Sequence, residues 1–76
     1  DNKSRGGDAM RIRELRKARR ITQLKMALDL DMSQNTISRY ESGEREPGIA
    51  ELIRIADYFR VSIDYLVGRT DDPVMH

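Results

Sequence analysis

Apolar residues recur three and four positions apart along most of the chain, and this spacing predicts α-helices. A half-buried strand would instead alternate polar and apolar residues, and the sequence contains no such stretch. Residues that favour helix starts and helix ends divide the pattern into short segments. The predicted fold is therefore all-α, a compact bundle of five short helices. These helices are expected over residues 11–20, 23–30, 34–41, 49–59 and 63–68.

The stretch 22–41 predicts a helix-turn-helix, which is two short helices joined by a tight bend. Thr22 and Ser33 are N-cap residue types, because their hydroxyl oxygens accept hydrogen bonds from free N–H groups at a helix start. Asp31 falls at the bend between the two helices. The faces predicted to be buried carry Met26, Ala27 and Leu30 in the first helix and Ile37 and Tyr40 in the second.

The flanking segments set the expected limits of the domain. Residues 1–9 contain a Gly-Gly pair and almost no apolar residue, so we expect them to be a disordered arm or a remnant of cloning. The segment 49–59 carries a wide apolar stripe that is expected to lie in the core. Ser62 is expected to cap the fifth helix. The tail, residues 70–76, has no periodicity and is expected to be loose, so the predicted domain is 10–69.

Length and composition narrow the class of protein. A chain of 76 residues allows one domain, and a domain of this size buries only about 60% of its unfolded surface. The absence of cysteine fits a reducing cytoplasm and leaves no disulfide or thiolate metal ligand. A membrane span needs a run of about 18 apolar residues. The sequence contains no such run, so no membrane partner is expected.

The formal net charge of +1 hides an uneven distribution along the chain. Residues 10–45 carry nine Lys and Arg against five Asp and Glu, whereas residues 46–76 carry three against six. The positive half contains the predicted helix-turn-helix, which suits a face that meets phosphate. Mixed charge also solvates small domains, so charge alone leaves both interpretations open.

Catalytic or metal chemistry needs converging side chains, and the sequence offers few. The only histidine is His76, the last residue, and carboxylates adjacent in sequence, such as Asp71 and Asp72, are typical surface charges. A glycine-rich phosphate loop is absent. The sequence therefore predicts a binding protein rather than an enzyme, with no metal and no cofactor.

Four segments of the chain share a pattern with a known family. In chain order they are TQ, then MA three residues on, then SQNTISRYESGEREP, and finally VSIDYLVGR. Together these segments resemble the helix-turn-helix domain of the phage repressor and Cro family of bacterial DNA-binding regulators. The resemblance covers about residues 10–69 and departs from the family at Asp31, where glycine is usual. It therefore implies a positive φ at Asp31, which aspartate tolerates at some steric cost.

The resemblance implies an ion pair between Arg16 and Glu41, which would tie the first helix to the motif. Separate solvation of these two side chains is the alternative. The resemblance also implies that the second motif helix enters the major groove of double-stranded DNA with its first turn.

Four polar residues share the face of that second helix opposite its apolar residues. Glutamine and asparagine present a donor beside an acceptor, which matches the edge of adenine, and arginine can form a fork with guanine. Plain solvation is the alternative for a polar helix face. The predicted base contacts are Gln34, Asn35, Ser38 and Arg39.

Phosphate contacts are predicted around this face, where they would set the register without reading sequence. Thr22 and Gln23 begin the first motif helix, whose free N–H groups favour an anion. By resemblance, Thr36, Ser42 and Arg45 would hold phosphate on the other side.

Two kinds of partner remain open. The first is double-stranded DNA: a sequence-specific regulator, expected to be a repressor, would bind a two-fold operator as a homodimer. The alternative is a protein-interaction module, such as an antitoxin or adaptor, and the apolar Leu24 and Leu28 favour it because they lie away from Met26 and Leu30. The dimer surface is expected around the fifth helix, with Tyr58, Ile63, Tyr65 and Val67.

Overall fold

A computed structural model describes residues 10–73, and the predictions made for 1–9 and 74–76 lie outside these described residues. Within the described range the structure has five α-helices and no strand, which confirms the predicted all-α class. The helices are α1 (Ile12–Ala18), α2 (Gln23–Leu30), α3 (Gln34–Ser42), α4 (Ile49–Phe59) and α5 (Ile63–Leu66).

The core lies where the five helices converge. Its largest side chains come from all five helices and form one shared core. Helix α3 packs against both α1 and α2, while α4 packs against α2 and α5. The largest fully buried side chains are Phe59, Ile12, Met26, Ile37, Ile55 and Leu66.

Within the described residues, three residues other than glycine lie in the left-handed region of backbone conformation. Arg20, Asp31 and Arg60 have φ values of 57°, 58° and 59°, and each follows the end of a helix. At α2 the N–H of Met32 donates to the carbonyl oxygen of Ala27 at 2.8 Å, which closes the last turn. The positive φ predicted at Asp31 is therefore confirmed, and α1 stops two residues earlier than predicted because Arg20 reverses the chain.

Helix α5 is also shorter than predicted. It was expected to reach Gly68, but it ends at Leu66, and Gly68 adopts a φ of 86° in the turn that follows. The predicted Ser62 cap is confirmed, since its hydroxyl oxygen accepts a hydrogen bond from the N–H of Tyr65 at 3.0 Å.

The expectation that the whole apolar stripe of α4 is core is wrong. Ile55, Ala56 and Phe59 are buried, whereas Ile49 and Ile53 are 73% and 45% exposed. The stripe is wider than the surface that the other described helices offer to cover it. One edge of α4 is therefore left apolar and open to solvent.

Residues 70–73, expected to belong to a loose tail, make several contacts within the domain. The guanidinium of Arg11 donates to the carbonyl oxygens of Tyr65 and Thr70 at 2.8 and 3.1 Å, and to the Asp71 carboxylate at 2.9 Å. The carbonyl oxygen of Pro73 accepts a hydrogen bond from the N–H of Ser62 at 3.2 Å. These contacts hold the segment against α1 and α5.

The described residues contain no helix that is both long and apolar enough to cross a membrane. The same residues contain no cluster of His, Cys, Asp and Glu side chains able to hold a metal ion.

Replacing Asp31 with glycine should raise the free energy of unfolding by about 0.5 to 1 kcal/mol. Glycine removes the steric conflict of the Cβ atom at a φ of 58°, and this gain outweighs the greater freedom that glycine gives the unfolded chain. Thermal and urea unfolding of the two proteins measure the difference. A lower melting temperature for the glycine variant would show instead that the Asp31 carboxylate makes a stabilising contact.

Candidate nucleic-acid interface

Both helices of the motif start on a side-chain cap. The hydroxyl oxygen of Thr22 accepts a hydrogen bond from the N–H of Lys25 at 3.0 Å, and that of Ser33 accepts one from the N–H of Thr36 at 3.0 Å. These caps determine where α2 and α3 begin. They leave the earliest backbone N–H groups of each helix without an intrahelical partner, and such groups favour an anion.

The four predicted base-contacting residues are all exposed on α3. Gln34, Asn35 and Ser38 line a shallow depression together with Gln23 from the start of α2. Arg39 lies outside this depression, and its Nε is 3.9 Å from the Glu44 carboxylate. The structure thus brings three of the four together and places the fourth about one turn along the helix.

Beneath this face lies a buried carboxylate, Glu41, that joins three helices. Arg16 of α1 donates to it twice, from Nε to Oε2 at 2.6 Å and from Nη2 to Oε1 at 3.1 Å. Gln23 of α2 donates its Nε2 to Oε1 at 3.1 Å. The third nitrogen of Arg16 donates to the carbonyl oxygen of Ile21 at 2.8 Å. The ion pair that the resemblance implied is thus present, within a larger network.

Charge pairing outweighs burial at this carboxylate. Burial alone would raise the pKa of Glu41, but the hydrogen bonds from Arg16 and Gln23 hold that pKa below its ordinary value. Glu41 is therefore ionised at neutral pH, and its charge fixes the positions of α1, α2 and α3 relative to one another.

Four of the five predicted phosphate-contacting side chains already make hydrogen bonds within the domain. Thr22 caps α2, and Gln23 is bonded to Glu41. The hydroxyl of Thr36 shares a hydrogen bond of 2.8 Å with Ser33. Ser42 donates its hydroxyl to the carbonyl oxygen of Arg39 at 3.1 Å and accepts from the N–H of Glu44 at 3.3 Å.

The fifth of these side chains, Arg45, is exposed. Its backbone N–H donates to the carbonyl oxygen of Arg39 at 3.3 Å. This bond holds the backbone of Arg45 close to the end of α3. Its guanidinium makes no ion pair with another residue of the described range 10–73. Arg45 is thus the predicted phosphate contact whose side chain is most available to a ligand.

Comparison with known proteins identifies the family. A family model described as "Helix-turn-helix" matches residues 12–66, which includes all five helices. The chain belongs to the helix-turn-helix family. This membership agrees with the resemblance stated from the sequence motifs, and the relatives described next have names of regulators rather than of enzymes.

Three relatives show the range of helix-turn-helix proteins that the chain is similar to. The cryptic phage CTXphi transcriptional repressor RstR of Vibrio cholerae is 42% identical over 59 residues, covering 78% of this chain and 53% of the relative. The regulator YobD of Bacillus subtilis, named as uncharacterized, is 35% identical over 63 residues, covering 83% and 56%. The regulator ImmR of the same organism is 33% identical over 61 residues, covering 80% and 48%. The chain therefore spans about half the length of these relatives.

One side chain next to the Glu41 network was given no role by the sequence. Arg13 of α1 places its Nε 3.4 Å from Glu41 Oε1, the oxygen that also accepts from Gln23. The basic run around it contains several arginines and lysines, and helical spacing alone does not single out one of them. The available signal was that Arg13 lies three residues before Arg16, because residues three apart are neighbours on a helix surface.

Proposed function

We propose that this chain is the DNA-binding domain of a sequence-specific transcriptional regulator, with α3 inserted in the major groove of a two-fold operator. The observation that carries the proposal is the exposed polar face of α3, set on a buried carboxylate that joins α1, α2 and α3. The names of the relatives, which are those of transcriptional regulators, support it. Repression is the favoured mode because RstR is named a phage transcriptional repressor.

The chemistry of the face suggests which bases it would read. Gln34 and Asn35 are in the first turn of α3, and each amide can pair with the N6 and N7 edge of adenine. Arg39 would read guanine after leaving its long, exposed contact with Glu44. Ser38 is small enough to let the helix approach a base or a thymine methyl group closely.

Replacing Arg45 with alanine should weaken binding to every DNA sequence alike. An arginine that neutralises one phosphate adds about 0.9 to the slope of log affinity against log salt, so the variant's slope should be smaller by that amount. Affinities for two unrelated duplexes, measured across a series of salt concentrations, check this result. A loss confined to one of the two duplexes would show that Arg45 reads a base instead.

The proposed functional unit is a homodimer, because one recognition helix spans too few base pairs to select a site in a genome. The surface proposed for it surrounds α5, where Ile63 is exposed. Two of the other expected side chains, Tyr58 and Tyr65, make contacts within the domain. Tyr58 donates its hydroxyl to Asp29 at 2.6 Å, and burial together with this bond raises the pKa of Tyr58 to about 12. Tyr65 packs under the guanidinium of Arg11.

Because Tyr58 and Tyr65 are engaged within the domain, we propose that helix α4 adds apolar surface to the dimer contact. Ile49 and Ile53, one turn apart on α4, are exposed, and Ile53 and Ile63 line the same groove. These isoleucines extend the proposed dimer surface from α5 onto α4. The half-buried Val67 lies at the end of α5.

The dimer should read half-sites one helical turn apart. We expect the mass in solution to rise with protein concentration and with a palindromic duplex whose half-sites are about 34 Å apart. Lengthening the spacer by about five base pairs turns one half-site to the opposite face of the DNA. Binding that stays at one protein per site and ignores this change would contradict the dimer.

A second candidate function is a protein-interaction module of the same fold. The observation in its favour is that Leu24 and Leu28, one turn apart on α2, are 53% and 70% exposed. A polar residue at both positions should then abolish binding to a protein partner encoded beside this chain and leave DNA affinity unchanged. Loss of DNA affinity in the same variant would assign this face to the DNA complex.

A further inference from the structure

Besides Arg16, two side chains from different helices donate to one buried oxygen atom beneath the proposed DNA surface. Arg13 of α1 and Gln23 of α2 both donate to Glu41 Oε1, from nitrogens at 3.4 and 3.1 Å. Gln23 also lines the depression beside Gln34 and Asn35. Arg13 is therefore adjacent to a residue already proposed as a phosphate contact, although it lies on another helix and ten positions earlier.

The carboxylate of Glu41 does not neutralise both arginines that contact it. Arg16 and Arg13 together carry two positive charges against the one negative charge of Glu41. All three nitrogens of Arg16 are used inside the domain, and its side chain is only 11% exposed. The surplus positive charge therefore lies on Arg13, whose side chain is 47% exposed.

Arg13 is both held in place and free to bind. Its contact with Glu41 uses Nε, and the two terminal nitrogens of an arginine carry four further N–H donors in a planar fork. This fork matches two oxygens of a phosphate. Because Nε is already held, less side-chain freedom is lost when a phosphate binds than for an unrestrained surface arginine.

We infer that Arg13 is a further phosphate contact of the domain, taking a backbone phosphate next to the one proposed for Gln23. The inference rests on the proposed function, since it requires that DNA lie along the start of α2. It differs from general attraction by the basic run of α1, because it assigns one phosphate to one side chain.

The test compares two variants that each remove one positive charge. Arg13→Gln removes the proposed contact, and the control Arg60→Gln removes an exposed arginine from the acidic half of the chain. The probe is a duplex of fixed arbitrary sequence, because phosphate contacts carry no sequence information. We expect the slope of log affinity against log salt to fall by about 0.9 for Arg13→Gln and to stay unchanged for Arg60→Gln.

Equal slopes for the two variants would overturn the inference, because only the net charge would then matter. An unchanged slope for Arg13→Gln would overturn it as well. The charge-retaining Arg13→Lys should keep the slope of the parent. Thermal unfolding of each variant shows whether Arg16 and Gln23 still hold Glu41 and the domain stays folded.

A second readout needs no variant. In the unmodified protein, the side-chain N–H signals of Arg13 should shift in the NMR spectrum when the duplex is added, while those of Arg60 should not. A shift at neither residue would overturn the inference. Failure of the proposed function would look different. Equal affinity for all DNA sequences would rule out base reading by α3, but it would not rule out the phosphate contact of Arg13.

Discussion

The Glu41→Ala variant should lose about 3 to 5 kcal/mol of unfolding free energy, enough to bring this domain close to unfolding. The substitution leaves the guanidinium of Arg16, only 11% exposed, without its carboxylate. It also removes the acceptor of Gln23. Small domains have unfolding free energies near the lower end of about 5 to 15 kcal/mol, so a loss of this size is most of the total. Urea unfolding followed by circular dichroism measures it.

The matched control is Glu44→Ala, three residues further along the chain. Glu44 is exposed, and its carboxylate is 3.9 Å from Arg39, so its removal should change the unfolding free energy by about 0.5 kcal/mol or less. Equal, small losses for both variants would mean that Arg16 and Glu41 are separately solvated in the protein. A large loss for Glu41→Ala alone supports the network.

The same carboxylate gives the domain a pH dependence of known sign. The pKa of Glu41 is lower in the folded chain than its ordinary value of 4.5. The stabilising contribution is therefore present above pH 4.5 and is lost as the pH falls through the lower, folded value. The Glu41→Gln variant, if still folded, should lose less stability than the parent over this acid range.

The Gln34→Ala variant should lose specific DNA binding while keeping its stability. Loss of one two-point base contact costs about 1 to 3 kcal/mol on the preferred duplex and much less on random DNA. Stability should be nearly unchanged because Gln34 is exposed and lies away from the buried Ile37 and Tyr40. Equal weakening on both duplexes, the result expected for Arg45→Ala, would remove the base-reading role from Gln34.

Local sequence rules predicted the features that depend on neighbouring residues. The hydroxyls of Thr22, Ser33 and Ser62 were expected to cap helices, and each accepts a backbone hydrogen bond three residues on. The left-handed bend at Asp31 was expected from the resemblance, because the family usually has glycine there, and its φ of 58° confirms the prediction.

Features that depend on distant parts of the chain were missed. Arg11 bonds to Tyr65, Thr70 and Asp71, between 54 and 60 residues away, and helical periodicity contains no information about such contacts. The tail was therefore expected to be loose, although Arg11 holds residues 70–73. The exposure of Ile49 was missed for a similar reason. An apolar stripe shows which residues a helix could bury, but not how much surface the neighbouring helices offer to cover them.

In the candidate site, the sequence could likewise place residues that share one helix but not a contact between distant helices. Gln34, Asn35 and Ser38 lie close together on one helix, so spacing alone placed them on one face. The neighbouring position of Arg13 depends on Glu41, which is 28 residues away, and only the folded arrangement of α1 and α3 brings the two together.

The exposed face of α3 is proposed to read DNA sequence, and one measurement tests this directly. Duplexes that bind the protein can be selected from random DNA, and the affinity for the selected site can then be compared with that for a shuffled duplex of equal length at one fixed salt concentration. We predict a ratio of about 10³ or more, as specific DNA-binding proteins show. A ratio near one, or a selection that yields no common sequence, would contradict the claim.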